Sequence, residues 1–267
     1  MRIARYAVGD HIEYGTVELD GDGGEHPDTV AALTGDPLAA PVQYTGQRHL
    51  LADVRLLAPV IPRSKVVGIG RNYAAHAAEL GNEVPENPLV FLKPNTSVIG
   101  PQDAIVKPET TNDLHYEGEL AVVIGRICRD VPADRVQDVI FGYTCANEVT
   151  ARDLQKTDGQ WGRAKGYDTF CPVGPWIVTH LSIEEVGDLE VRTRLDGKVV
   201  QDGNTSLMVR DVASLVSYVS SFTTLLPGDL ILTGTPAGVG PMLPGQTVEI
   251  EIEQIGTLSN RVIDGQA

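Results

Sequence analysis

The chain has 267 residues, 42% hydrophobic and 21% charged, with a formal net charge of −15. That length and balance give a globular protein of one large domain, or one large and one small, with a sizeable core. The acidity argues against nucleic acid, whose phosphates need a basic surface, and against an anionic membrane. An anionic substrate would therefore have to find local cations.

Few aromatics, 28 glycines and 17 prolines point to a turn-rich fold with much β structure. The three cysteines, Cys128, Cys145 and Cys171, form no CxxC pair and no even framework, which fits a reducing cytoplasm. The first residues lack a continuous apolar segment, so no signal peptide is expected. No run approaches the length of a transmembrane helix.

Residues 1–60 read as a small β-containing domain, with strands over Arg2–Val8 and Ile12–Leu19. Asp20-Gly-Asp-Gly-Gly24 is a turn signal; in a calcium loop the residue at Ala31 would be a glutamate. Pro59, Pro62 and the polar Arg63-Ser64-Lys65 mark a boundary, leaving residues 61–267 as a second domain. Val66–Gly70 is a strand whose GxG lacks the third glycine of a dinucleotide fingerprint. Residues 72–80 are alanine-rich and helical in pattern, with Gly81 as a stop. His76 and Glu79 stand at i and i+3 there, so they can touch. A carboxylate beside an imidazole raises its basicity and fixes its tautomer, as a general base requires; the same pair could be a surface ion pair. The polar, proline-containing loop Glu83–Asn87 follows, and a short helix joined to such a loop could serve as a lid. Leu89–Lys93 is a strand ending in a lysine with a buried stem.

His115-Tyr-Glu117-Gly-Glu119 then runs into the apolar Leu120–Gly125, which reads as a buried strand. Side chains at i and i+2 share a face, so Glu117 and Glu119 project together where the chain enters the core. Two carboxylates so placed are costly unless a cation or proton intervenes. A hard divalent cation is one answer and a solvated strand end is the other. His115 shares that face, which leaves a histidine-containing site open.

Pro132–Val139 reads as a helix and Phe141–Ala146 as a strand. The strand leads into Asn147–Gln155, where acid, base and amide residues crowd; Glu148 could supply a third oxygen ligand. Residues 159–175 are loop-like with cations and aromatics. Trp176–Thr179 and Leu189–Leu195 read as strands, Asp196-Gly197 as a hairpin turn, and Ser206–Phe222 as a helix. Leu230–Gly234 reads as a strand, Thr235–Gly240 as a glycine-rich loop without the GK[ST] of a phosphate loop, and Thr247–Ile252 as the last clear strand. There is no GxSxG, no HExxH and no paired Cys/His spacing. The periodicity as a whole gives a β-rich α+β fold.

Five ordered segments carry a resemblance: Val67–Ala74, Phe91–Pro94, Tyr116–Val123, Gly142–Gln155 and Leu232–Gly240. Together they resemble the fumarylacetoacetate hydrolase superfamily over about residues 60–260, and the amino-terminal unit is similar to that of bacterial members. The nearest subgroup is the one labelled 2-hydroxyhepta-2,4-diene-1,7-dioate isomerase, some of whose members act as acylpyruvate hydrolases or oxaloacetate decarboxylases. The resemblance implies a mixed β-sheet roll as catalytic domain and a cytoplasmic homodimer. It implies Mg²⁺ or Mn²⁺ held by Glu117, Glu119 and Glu148. The family more often has Asp at the last position, and Asp153 is the competing third ligand. The resemblance further implies that His76 and Glu79 activate water, with Lys165 beside them. It places Arg71, Lys93, Arg152, Gln155 and Thr235 on the substrate. The implied substrate is a small anionic 2-oxo acid of the acylpyruvate type, cleaved by water through an enolate. Oxaloacetate decarboxylation and enol–keto isomerisation are the alternatives on the same site.

Overall fold

The apolar runs become strands buried on both faces. Gly118–Ile124 and Cys171–Val178 are buried at every position, and Ile140–Asn147 at six of eight; strands covered on both sides read as continuous hydrophobic runs. They form the middle of a mixed twelve-stranded sheet in a computed structural model that describes residues 1–20 and 27–265. From one edge the order is Tyr44–Leu50, Thr29–Leu33, His11–Glu18, Arg2–Val8, Cys171–Val178, Ile140–Asn147, Gly118–Ile124, Leu230–Leu232, Val66–Gly70 and Leu89–Lys93. Arg55–Leu57 pairs with Arg2–Val8, and Val98–Ile99 pairs in parallel with Cys171–Val178. Leu230–Leu232 also runs parallel to Val66–Gly70.

The amino-terminal strands extend this sheet rather than close one of their own, through Arg2↔Val178 and Ile3↔Ile177. A second, five-stranded sheet is made of Lys198–Asn204, Glu190–Leu195, Thr247–Ile252, Gly256–Asp264 and Ile105–Lys107. Strand alternation divides the core between the two faces of the large sheet. Leu120, Val122 and Cys145 pack in one cluster with Val191, Ile250 and Leu258; Ala121, Val123 and Ala146 pack in another with Leu33 and Val60. Among the described residues, no helix is long and apolar enough to cross a membrane.

Most expected elements are present with altered ends. The helix read at 72–80 spans Ala74–Glu79. Ser206–Phe222 resolves into a 3₁₀ turn at Thr205–Leu207 and a helix at Val212–Phe222, which starts where the Asp211 side chain accepts the Ser214 N–H at 2.8 Å. Pro132–Val139 is a 3₁₀ helix over Ala133–Asp138. Asp196 and Gly197 make the hairpin turn with φ of 49° and 77°, the positive values a tight turn demands. The turn read at Asp20–Gly24 lies, from Gly21 on, outside the described residues.

Two differences have clear physical causes. The stretch His115–Gly125, read as one continuous strand, is divided between two strands in two sheets. Leu114–Tyr116 pairs with Thr150–Ala151 and Gly240–Pro241, whereas Gly118–Ile124 pairs with Ile140–Asn147 and Leu230–Leu232. Glu117 sits at the changeover: its N–H donates to Asn147 Oδ1 at 3.0 Å and its carbonyl accepts the Glu148 N–H at 2.8 Å. Gly118 permits the crossing, since a Cβ there would fall 2.4 Å from Thr193 Oγ1. The second difference is the strand Gly256–Asp264, beyond the last one expected. Its inward positions are Leu258, Asn260 and Val262. The buried Asn260 hides the alternation, and its amide is satisfied by donating to the carbonyls of Gly100 and Asp103 at 2.8 and 2.9 Å.

Candidate active site

The sheet changeover at Glu117 brings three carboxylates together. Glu117 and Glu119 flank Gly118, and Glu148 follows the strand that pairs with them. One oxygen from each of the three lies within 4.8 Å of the others, and all three side chains are buried. Glu148 is longer than aspartate by one methylene, and Gly68 makes room for it: a Cβ on Gly68 would fall 2.9 Å from Glu148 Oε1.

Cations compensate only part of this charge. Lys165 Nζ donates to Glu148 Oε2 at 2.8 Å, Thr150 Oγ1 at 2.9 Å and Glu117 Oε2 at 3.1 Å. Arg152 Nη2 donates to Glu117 Oε1, and its Nη1 donates to Gln155 Oε1 at 2.6 Å. Burial pushes the Glu117 carboxyl up, but Lys165 and Arg152 override it and hold Glu117 well below the usual carboxylate range. Burial likewise presses on the Lys165 ammonium, and Glu117 and Glu148 outweigh it, keeping it charged.

Glu119 has no such partner. Its Oε2 accepts the Gly234 N–H at 2.7 Å. Burial, then the charges of Glu148 and Glu117, push its pKa well above the ordinary value. Glu148 Oε1 is buried and accepts no hydrogen bond. Lys93 Nζ stands 3.7 Å from that oxygen, but burial drives Lys93 toward the neutral amine. Among the described residues Glu119 thus has no cation in ion-pair contact, and Glu148 Oε1 has only Lys93, beyond hydrogen-bond distance. Three hard oxygen donors so placed fit Mg²⁺ or Mn²⁺.

The carboxylates line a cavity of about 480 Å³, and His76, Glu79, Arg71, Arg152, Gln155, Lys165 and Thr235 line it too. Lys93 does not; it is buried, with its Nζ 3.7 Å from Glu148 Oε1. His76 is 6% exposed, with Nδ1 3.5 Å from Glu79 Oε2, an ion-pair rather than a hydrogen-bond distance. Burial lowers its pKa, Glu117 opposing, so at neutral pH the imidazole is neutral and able to accept a proton. Thr235 Oγ1 donates to the Gly118 carbonyl at 2.9 Å, and so braces the backbone between the two glutamates.

Asp153 and His115 stand outside the cluster. The Asp153 carboxylate accepts from Thr111 Oγ1 and from the backbone N–H groups of Asn112 and Leu154. His115 Nε2 pairs with Asp113 Oδ1 at 2.8 Å.

Sequence reasoning missed two residues. Gln201 is 1% exposed; its Oε1 accepts the Gly118 N–H at 3.0 Å and Thr193 Oγ1 at 2.7 Å, while Nε2 donates to Thr235 Oγ1 and the Pro236 carbonyl, both at 2.8 Å. One amide thus joins the carboxylate strand to the glycine-rich loop, and no local pattern announces it. Trp161 lines the cavity and lies edge-on to Phe91, 5.4 Å between ring centroids. Its only signal was an aromatic among cations in a glycine-rich stretch.

The comparisons agree with this geometry. The family model "Fumarylacetoacetate (FAA) hydrolase C-terminal" matches residues 65–263, and "Rv2993c-like, N-terminal" matches residues 1–59. The chain is 53% identical to Protein Rv2993c of Mycobacterium tuberculosis over 264 residues, covering 98% of each. The structure of 5-carboxymethyl-2-hydroxymuconate delta-isomerase from Mycobacterium smegmatis superposes with a TM-score of 0.90 at 50% identity, over 99% of this chain and 100% of that one. Maleylpyruvate hydrolase from Sphingobium sp. SYK-6, in complex with manganese(II) and pyruvate, superposes with a TM-score of 0.79 at 32% identity over the full length of both chains. By its sequence, its β-rich mixed-sheet fold and its buried carboxylate triad, the chain belongs to the fumarylacetoacetate hydrolase family.

Proposed function

We propose that the protein is a divalent-metal-dependent hydrolase that cleaves a C–C bond of an acylpyruvate-type 2,4-dioxo acid. The observation that carries this reading is that a neutral, buried His76 with Glu79 lines the same cavity as the three carboxylates. Glu117, Glu119 and Glu148 would hold Mg²⁺ or Mn²⁺, which supplies Lewis-acid polarisation of a 2-oxo group when bound. Lys165, and Arg152 with Gln155, lie where an anionic substrate needs cations and donors that the acidic surface does not offer.

His76 takes a proton from water, and Glu79 steadies the ring. The hydroxide adds to the acyl carbonyl at C4. The C3–C4 bond then breaks, its electron pair passing to the pyruvyl fragment as an enolate, which takes a proton to give pyruvate. The acyl fragment leaves as a carboxylic acid, so one water is consumed and two acids form.

Enol–keto isomerisation on the same residues is the second reading. It is favoured by the likeness to the Mycobacterium smegmatis delta-isomerase; there His76 would move a proton between carbon and oxygen without adding water. A panel of acetylpyruvate, fumarylpyruvate, oxaloacetate and a hydroxymuconate-type dienoate, with Mg²⁺ or Mn²⁺ and products identified by NMR, tests the proposal. Pyruvate with a second carboxylic acid is the expected result. Pyruvate with CO₂, or a tautomer alone, reassigns the reaction, and no turnover with either metal removes it.

A further inference from the structure

We propose that Arg210 is a positioning residue for His76: from outside the cavity it fastens both ends of the segment that carries the imidazole. The inference rests on the reading of His76 as the general base.

The segment needs an anchor beyond itself. His76 and Glu79 lie on the six-residue helix Ala74–Glu79, too short to be stable without tertiary contacts. The largely exposed loop Glu83–Asn87 follows. Among the described residues, one hydrogen bond ties that loop to the rest of the chain: Arg210 Nη2 donates to the Glu86 carbonyl at 2.7 Å. Between the helix and the cavity's glycine-rich loop, the bond from the Gly238 N–H to Glu79 is exposed to water.

The start of the segment is held by the same residue. The Arg210 N–H donates to Asn72 Oδ1, and Asn72 Nδ2 donates to the Arg210 carbonyl, both at 2.9 Å. The Val209 N–H donates to the Asn72 carbonyl at 2.7 Å. Asn72 is buried, and the Arg210 backbone leads directly into the helix Val212–Phe222, which is capped by Asp211 and sends Val212, Leu215, Val216 and Val219 into the core. Arg210 thus joins Asn72 and Glu86, on either side of His76, to a rigid element. It is half-buried and does not line the catalytic cavity.

The same anchor reaches the carboxylate cluster. Asn72 Nδ2 also donates to the Thr233 carbonyl at 2.8 Å, and the next residue, Gly234, donates its N–H to Glu119 at 2.7 Å. Gly234 has φ of 100° and packs against Asn72, where a Cβ would fall 2.8 Å from Asn72 Cβ. The start of the His76 segment is therefore registered against the cluster by a buried amide. Its far end is registered by the Arg210 guanidinium.

The test compares two variants that leave the backbone bonds to Asn72 in place. Arg210→Met keeps the aliphatic stem and removes the donor; Arg210→Lys keeps a charged donor for the Glu86 carbonyl. Hydrogen exchange of the Mn²⁺-loaded protein is followed by mass spectrometry over residues 74–88, where the N–H groups of Ala77, Leu80, Gly81 and Asn82 bond within the segment. Arg210→Met should speed that exchange about tenfold, the worth of one charge-assisted hydrogen bond. With the substrate found in the panel, kcat should fall about tenfold, since small misplacements of a catalytic group are costly. KM should stay within about twofold, because Lys165, Arg152 and Gln155 lie off the segment. Arg210→Lys should restore most of both losses, and Mn²⁺ affinity by calorimetry should be the same in all three proteins. Unchanged exchange in Arg210→Met, faster exchange with unchanged kcat, or a loss of Mn²⁺ affinity matching the loss of kcat each overturn the positioning role and leave the hydrolase reading standing. If the wild type turns over nothing in the panel, the hydrolase reading falls and this inference with it.

Discussion

Glu79 accepts the Gly238 N–H with both carboxylate oxygens, each at 3.1 Å, while its Oε2 stands 3.5 Å from His76 Nδ1. The short helix Ala74–Glu79 is thereby tied to the glycine-rich loop. Glu79 thus stands between the loop it binds and the imidazole it neighbours.

Replacing His76 by alanine should lower kcat about 10²- to 10⁴-fold, the usual worth of a general base. Mn²⁺ affinity should change little, because His76 is outside the carboxylate cluster. Steady-state kinetics with the turned-over substrate, beside Mn²⁺ calorimetry, separates the two. Full hydrolysis by the alanine variant would remove His76 from the mechanism.

The pH profile follows from the sign of the His76 shift. Burial lowers its pKa from 6.5, so the neutral, proton-accepting form survives below the pH at which a free imidazole would be lost. The acid limb of kcat/KM should therefore have its midpoint below 6.5. Glu79 raises the His76 pKa, so Glu79→Gln should move that limb to still lower pH while reducing kcat. A limb that moves upward in Glu79→Gln contradicts the pairing.

The elevated Glu119 pKa makes metal binding a proton-releasing event. Burial and two neighbouring carboxylates disfavour its charge in the metal-free protein, so Glu119 holds its proton to higher pH than an ordinary carboxyl. A divalent cation must displace that proton. Mn²⁺ affinity should rise with pH, and the binding enthalpy measured in PIPES and in imidazole-free HEPES should differ in proportion to the protons released. Glu119→Ala should abolish binding. Identical enthalpies in the two buffers would mean that Glu119 is already ionised.

The legible parts of this molecule are those written in short-range pattern. The spacing of Glu117 and Glu119 on either side of Gly118 and the i, i+3 spacing of His76 and Glu79 are local, although Glu117 itself stands just before the strand Gly118–Ile124. Apolar runs marked the central strands for the same reason. The rest depends on contacts between distant residues. The chain changes sheets at Glu117 because Asn147 and Glu148, thirty residues on, supply its backbone partners. Gly256–Asp264 escapes detection because the acceptors that allow Asn260 to be buried lie 157 and 160 residues away. Lys93, read as a substrate contact, is buried beside Glu148 and does not line the cavity; its strand is evident in sequence, but the depth of its side chain is set by how that strand packs.

Gln201 offers the sharpest test of those long-range contacts. It lies 83 residues from Gly118 and 34 from Thr235, and it is their common partner. Gln201→Leu keeps similar bulk but leaves the Gly118 N–H and the Pro236 carbonyl without their partner in a site closed to water. Each buried group so orphaned costs about 1–3 kcal/mol, so stability should fall by about 2–6 kcal/mol in a urea titration if the loss is additive and the site does not relax. Glu117 and Glu119 flank Gly118, so the carboxylate cluster should loosen as well, weakening Mn²⁺ binding in the fraction that remains folded. Gln201→Glu separates packing from hydrogen bonding. Its carboxylate can still accept from Gly118 and Thr193, but when ionised it cannot donate to Thr235 Oγ1 or the Pro236 carbonyl. That variant should hold the strand and lose the loop, retaining more Mn²⁺ affinity than Gln201→Leu while kcat falls. Equal stability and Mn²⁺ affinity in all three proteins would show that the carboxylate strand and the glycine-rich loop are positioned without this amide.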